Sequence, residues 1–217
     1  EQFFFFFLAT FGCAGTGGFG FIPGSLELFH PFSQYVIAIF LLLYGINFSL
    51  YYLILIGKLK DVFRSEELKA YICIVITAVC LVFIALIWRF EAFAQVYTVE
   101  ETFRHTLFQV ASLMTTAGFT TTDYHTWPML ATTVLMLLMF IGAMAGSTGG
   151  GIKVSRFSIA IKGAYINVRK VINPRYVPKV KFEGKSLEPK TVNDVFAFFT
   201  LYFFILLAAI LILSFDP

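Results

Sequence analysis

Thr116-Ala117-Gly118-Phe119 closes a short apolar run that begins at Glu101, and it repeats Thr16-Gly17-Gly18-Phe19, which closes a similar run that begins at Glu1. The offset is 100 residues at Glu1/Glu101, Phe3/Phe103, Thr16/Thr116, Gly18/Gly118 and Phe19/Phe119. Each copy is followed by a proline, Pro31 or Pro128, and 14 residues later by a glycine, Gly45 or Gly142. A short helix, a Thr-x-Gly-Phe turn and a long apolar helix make a pore-loop unit. Two such units predict an ion pathway built from several around one axis.

The composition is that of a membrane protein. Apolar residues make up 59% and charged residues 13%, where a soluble domain carries about 25% charged. Phenylalanine supplies 28 of the 217 residues, and the mean hydropathy is +0.82. A bilayer-spanning helix needs roughly 20 mostly apolar residues. Residues 32–56, 70–88, 129–145 with their continuation, and 192–215 meet or approach that length. The runs at 3–15 and 103–114 are too short to span. Two readings stay open for them, re-entrant pore helices or core helices, and the glycine turn after each favours the first.

The basic residues orient the chain. Lys58, Lys60, Arg64 and Lys69 form one block, and all the others lie between Lys153 and Lys190 except Arg89 and Arg104. The positive-inside rule places both blocks in the cytoplasm. Residues 32–56 then run inward, 70–88 outward, 129–152 inward and 192–215 outward. Both Thr-x-Gly-Phe turns enter from the outer face, as a shared filter requires.

A site that dehydrates a cation needs several oxygens at fixed distances, and backbone carbonyls turned toward an axis supply them. Glycine permits dihedrals closed to other residues and close approach of neighbouring loops. Threonine adds a hydroxyl and a stiff branched side chain. A helix aimed inward turns its negative C-terminal end toward the ion. The carbonyls of Gly15, Thr16, Gly17, Gly18 and of Thr115, Thr116, Ala117, Gly118 are the candidate potassium ligands, and Phe19 and Phe119 anchor the turns from behind. The alternative is that these are glycine turns closing helical hairpins.

Residues 142–151 hold five glycines where a spanning helix should continue. Glycine costs about 1 kcal/mol relative to alanine in a helix interior, so the cluster predicts a break at membrane depth. Irregular backbone there must be buried in protein or line a watery cavity. Gly146, Ser147, Thr148, Gly149, Gly150, Gly151 and Lys153 are thus the candidate gate. The matching stretch of the first copy, from Gly45 to Tyr52, reads as uninterrupted helix. A nucleotide-binding P-loop is disfavoured: Ile152 separates Gly151 from Lys153, Val154 replaces the Ser/Thr, and no strand precedes it. Lys153 and Arg156 are either interfacial anchors or charges that influence gating.

Nothing points to an enzyme. His30, His105 and His125 are scattered, no Ser/His, Asp/Asp or metal constellation lies at membrane depth, and Cys13, Cys73 and Cys80 read as small packing residues.

These motifs resemble the Trk/Ktr/HKT superfamily of cation channels and transporters, most closely its bacterial TrkH-type membrane subunits. The resemblance rests on Gly15-Thr16-Gly17-Gly18-Phe19, Gly45-Ile46-Asn47-Phe48-Ser49-Leu50, Thr115-Thr116-Ala117-Gly118-Phe119-Thr120-Thr121 and Ala145-Gly146-Ser147-Thr148-Gly149-Gly150-Gly151-Ile152-Lys153. It implies an all-α membrane protein with pseudo-symmetric helix–pore-loop–helix repeats around a central ion pore. Residues 1–56 would end one repeat, 57–69 form a cytoplasmic loop, and 70–172 make a complete repeat. Residues 173–191 would form a second cytoplasmic loop with a hairpin, and 192–217 open the next repeat. The chain reads as the middle of a longer protein. The family implies a homodimer in the bacterial cytoplasmic membrane, with a Rossmann-type regulatory subunit that binds NAD or ATP. No cofactor is expected on this chain, and potassium is the transported ion, since glycine rather than serine stands at both visible filter positions. A sodium-permeable or cation-coupled relative is the runner-up, and a non-conducting assembly module the alternative of another class.

The segment 163–191 fits a partner. Residues 177–187 alternate around Glu183-Gly184 and predict a small basic hairpin. It could dock an acidic protein surface or sit near anionic lipid headgroups; nucleic acid is not expected.

Overall fold

A computed structural model describes residues 2–18, 26–27, 29–88, 98–173 and 179–215. Phe19 lies outside them, as do Arg89, Pro174 and Pro178. The chain divides into two compact units, Glu1–Val154 and Ser155–Pro217.

The first unit is helical. It contains α1 (Gln2–Ala14), α2 (Pro31–Tyr44), α3 (Phe48–Leu55), α4 (Leu59–Arg64), α5 (Glu66–Trp88), α6 (Val99–Met114) and α7 (Met129–Ile141), with a 3-10 turn at Tyr124–Thr126. The second unit contains α8 (Val154–Ile172), a two-stranded hairpin of β1 (Lys181–Phe182) and β2 (Lys185–Ser186), and α9 (Pro189–Leu213).

Helix α5 is 23 residues long and α9 is 25, and both are apolar enough to cross a membrane. At 1.5 Å per residue each exceeds the ~30 Å hydrocarbon layer. Ile72, Ile76, Ile84 and Ile87 of α5 face outward, as lipid contact requires. Ser65 starts α5, its hydroxyl accepting from the Leu68 amide at 3.2 Å. The polar first turn, Glu66 and Glu67, therefore belongs to the helix although hydropathy alone starts it at 70.

The expected continuous helix over 32–56 is broken. Helix α2 stops at Tyr44, α3 restarts at Phe48, and the two bend by 91°. Gly45 caps the first helix, and the Asn47 side chain caps the second by accepting from Ser49 N at 2.8 Å. The freed backbone groups are taken up from elsewhere: Gly45 O accepts from Met144 N, and Phe48 N donates to Gly146 O, both at 3.0 Å. Helix α7 stops at Ile141 with Gly142 as its cap. Both copies therefore break at the glycine 14 residues after the proline.

Helix α6 is the centre of the unit and packs on α2, α5 and α7. On one side Val110, Leu113 and Met114 join Tyr71, Val75, Ala78 and Val82 of α5 and Ala131, Leu135 and Leu138 of α7. On the other, Phe108 and Ala111 join Ala9, Cys13, Ala38 and Leu41 of α1 and α2, with Ala117 and Phe119. It begins at Val99 because Thr98 and Glu101 form a reciprocal capping box. Cys13 is buried as a packing residue, but Cys73 and Cys80 are exposed on α5; the apolar face they share points away from the core.

In the second unit the hairpin pairs Lys181 with Ser186 and Phe182 with Lys185. Its turn residues Glu183 and Gly184 both have positive φ, 51° and 71°, the geometry that matches strand twist in a two-residue loop. Ile159, Val180, Val192 and Val195 form its core. Arg156 lies 4.4 Å from the Phe198 ring centroid, so it makes a cation–π contact within this unit.

Candidate functional site

Up to Gly18 and Gly118 the two turns share their backbone pattern. Thr16 and Thr116 have φ of 48° and 59°, and Gly18 and Gly118 have φ of 66° and 81°. In the first, the amides of Gly15, Thr16 and Gly17 donate to the carbonyls of Phe11, Cys13 and Gly12. In the second, Thr115, Thr116 and Ala117 donate to Ala111, Leu113 and Ser112. Each is a Schellman C-cap, which normally places glycine at the left-handed position. A branched residue there is an outlier, and both copies carry threonine.

Residues 119–122, beyond the second turn, are held by the helix that precedes it. The Ser112 hydroxyl donates to Phe119 O at 2.7 Å, Gln109 Nε2 to Thr122 O at 3.4 Å, and His105 Nδ1 pairs with Thr121 Oγ1 at 2.9 Å. The chain thus runs back along one polar stripe of α6, at 105, 109 and 112. All three residues are buried, so these bonds act in a low-dielectric setting. The stripe has no counterpart in the first copy, where Phe5, Ala9 and Gly12 stand at the offset positions. Among the described residues, no hydrogen bond uses the carbonyls of Thr116, Ala117 or Gly118, nor those of Thr16 and Gly17. These acceptors are available to a cation.

The two turns touch. A Cβ added to Gly18 would collide with the Ala117 carbonyl oxygen, so glycine is needed there for close approach as well as for its φ. At Gly118 nothing described lies within 4 Å of an added Cβ.

The glycine-rich segment is a lobe closed at its neck. Ile152 N donates to Phe140 O at 3.0 Å and Lys153 N to Ile141 O at 2.9 Å, so the chain leaves and rejoins the helical path at nearly one point. A Cβ on Gly151 would sit 2.6 Å from Gly142 Cα, which is why the neck is glycine on both sides. The lobe is tied to the rest of the unit by the Ala145 amide, which donates to the buried Glu67 carboxylate at 2.7 Å. Its far side meets the two Thr-x-Gly turns: Gly150 N donates to Thr116 Oγ1 at 2.6 Å, and Thr16 Oγ1 lies 2.9 Å from Thr148 O. Lys153 turns back into the lobe and its ammonium donates to Gly149 O.

The structure therefore brings together Gly15–Gly18, Thr115–Gly118 and the segment 146–153, and Phe119 is buried behind the second turn. Sequence reasoning missed Ser112, Gln109, His105, Glu67 and Asn47. A polar residue every third or fourth position in an apolar run was the available signal for the first three. For Glu67 there was none, because its partner is 78 residues away. Among the described residues no cluster of His, Cys, Asp or Glu could hold a resident metal.

Residues 7–216 match the model of the TrkH family, described as cation transport protein. The Trk system potassium uptake protein TrkH of Escherichia coli K12 is 32% identical over 204 residues, which cover 93% of this chain and 41% of that protein. The TrkG protein of the same strain, also a Trk system potassium uptake protein, is 31% identical over 200 residues, covering 91% and 40%. The crystal structure of the potassium transporter TrkH from Vibrio parahaemolyticus superposes with a TM-score of 0.84 at 30% identity, over 93% of this chain and 43% of that one. The chain spans about two fifths of the length of these relatives. It belongs to the TrkH family of cation transport proteins.

Proposed function

We propose that this chain supplies two of the filter strands and the gate of a potassium-selective uptake pathway in the bacterial cytoplasmic membrane. The observation that carries this is the shared backbone of the turns at Thr16–Gly18 and Thr116–Gly118, which among the described residues leaves successive carbonyls without hydrogen bonds on two loops in contact. Carbonyls of that kind replace the hydration shell of an entering ion. The C-terminal ends of α1 and α6 each add a partial negative charge of about half an electron beside them. Both turns rest on the lobe at 146–151, which is placed to close the path and, being pinned at its neck, to move without unwinding α7 or α8. The names of the relatives, potassium uptake proteins of the Trk system, support potassium as substrate. The complete protein works as a homodimer under a cytoplasmic Rossmann-type subunit that binds NAD or ATP, and the basic hairpin of the second unit faces that partner.

Rubidium flux into liposomes holding the complete protein, with sodium as competitor, tests this reading against a sodium-permeable relative and an assembly module. Wild-type flux that resists sodium, and a Gly118→Ser variant that does not, is the expected result. Absence of flux even with the regulatory subunit present would favour the assembly module. Flux that sodium suppresses equally in both proteins would favour a sodium-permeable path.

A further inference from the structure

A carbonyl filter uses Thr16 and Thr116 for their backbone oxygens and leaves their side chains without a role. Both are branched residues in a left-handed conformation that costs about 1–2 kcal/mol, and glycine would meet the same backbone need at no such cost. Each hydroxyl makes one bond inside its own turn, Thr16 to Gly15 O at 2.8 Å and Thr116 to Thr115 O at 2.6 Å. Each also reaches the lobe, and with opposite polarity. Thr116 Oγ1 accepts the Gly150 amide, while the single proton of Thr16 Oγ1 is divided between Gly15 O and Thr148 O. The two lobe atoms are two residues apart, so the lobe is threaded between the turns and gripped from both.

We propose that Thr16 and Thr116 are positioning residues that latch the lobe shut through their hydroxyls. This rests on reading the lobe as the gate. The lobe is built for the contact. A Cβ on Gly150 would stand 2.8 Å from Thr116 Oγ1, and one on Gly149 would stand 3.1 Å from Thr115 O. Gly146 and Gly151, with φ of 72° and 77°, bracket the gripped residues. The tethers to Gly45, Phe48 and Glu67 fall at or before Gly146; within 147–150 the lobe also holds a long bond from Thr148 Oγ1 to Tyr44 O at 3.4 Å and the Lys153 ammonium on Gly149 O. The threonine hydroxyls are the contacts through which the turns themselves hold this segment, which lies between two glycine hinges and swings once they and these two contacts let go. Filter and gate then share two hydrogen bonds, so opening alters the turns that select the ion.

The test uses the complete protein in liposomes, in a background without native cysteines, carrying Ser147→Cys as a reporter. Thr16→Val and Thr116→Val keep the branched shape and its backbone strain but remove the hydroxyl. The expected result, without the activating subunit, is about a tenfold rise in thiol modification of residue 147 and in resting rubidium flux, the effect of one lost hydrogen bond. Thr116→Ser, which keeps the hydroxyl, should return the modification rate toward that of the parent. Gly150→Ala, which crowds the lobe off an intact Thr116, should raise it again; if the valine variants do not assemble, this variant decides. Unchanged reactivity in folded variants would overturn the latch, and so would altered sodium competition without a change in reactivity, since the hydroxyls would then serve only their own turns. A parent with no rubidium flux when activated would sink the transport reading, while reactivity would still report on the latch.

Discussion

Gly18 and Gly118 are equivalent in sequence, yet alanine should affect them very differently. Both have positive φ, so each substitution carries the left-handed cost of about 1–2 kcal/mol. At Gly118 that is the whole expected penalty, because nothing described lies within 4 Å of the new Cβ. At Gly18 the new Cβ falls on the Ala117 carbonyl oxygen. A carbon and a carbonyl oxygen need roughly 3.3 Å, so the turns must separate by roughly 1.4 Å. Displacements of that size cost about a hundredfold where function depends on fixed geometry. Rubidium uptake by the complete protein, measured with and without sodium, should fall about a hundredfold for Gly18→Ala and lose its preference. Gly118→Ala should stay within about tenfold of wild type. Equal losses at the two positions, or a fully selective Gly18→Ala, would refute the packing of one turn against the other.

Three further outcomes rest on contacts in the same unit. Ser112→Ala leaves the buried Phe119 carbonyl without its donor, at a cost of about 1–3 kcal/mol, and should lower both the thermal midpoint and the resistance of flux to sodium; a change in neither would remove Ser112 from the support of the turn. A Cβ on Gly45 would collide with the Tyr71 hydroxyl, which itself donates to Leu42 O at 3.0 Å. Gly45→Ala and Tyr71→Phe should each destabilise, but the double variant should be better than the sum by about 1 kcal/mol in a denaturation cycle, and strict additivity would contradict the contact. The Glu101 carboxyl is held below its ordinary range, first by the Thr98 amide and then by the Thr98 hydroxyl. Its stabilisation of the first turn of α6 is complete above the unfolded pKa of about 4.3 and is lost as pH falls through the lower folded value. Amide exchange in that turn, corrected for intrinsic rates, should rise on acidification in wild type and respond less in Thr98→Ala, whereas an identical response would dismiss the capping box as its cause.

The sequence by itself determined the class, the repeated turn and the helix break at the glycine cluster that begins at Gly142. Apolar runs as long as a bilayer is thick have no stable alternative to helix in lipid, and five glycines in ten residues end one. The break at Gly45 was not legible, because a single glycine in an apolar run reads as continuous helix; the bend stands because Met144 and Gly146 take up the freed backbone groups. The Thr-x-Gly-Phe spacing located both turns because a left-handed cap needs its residues in fixed order. Tertiary structure decided what those turns lean on. The burial of Arg104, His105 and Gln109 in the centre of the unit was not legible, since polarity in a short helix predicts exposure until other helices surround it. Local pattern also made Gly18 and Gly118 equal, and marked the glycine segment as a helix break and candidate gate without saying what it touches. That Gly18 abuts Ala117, that Gly150 hangs from Thr116, and that Glu67 holds Ala145 are contacts between residues tens of positions apart. No local preference encodes them; they exist because packing brings two loops and a broken helix to one place.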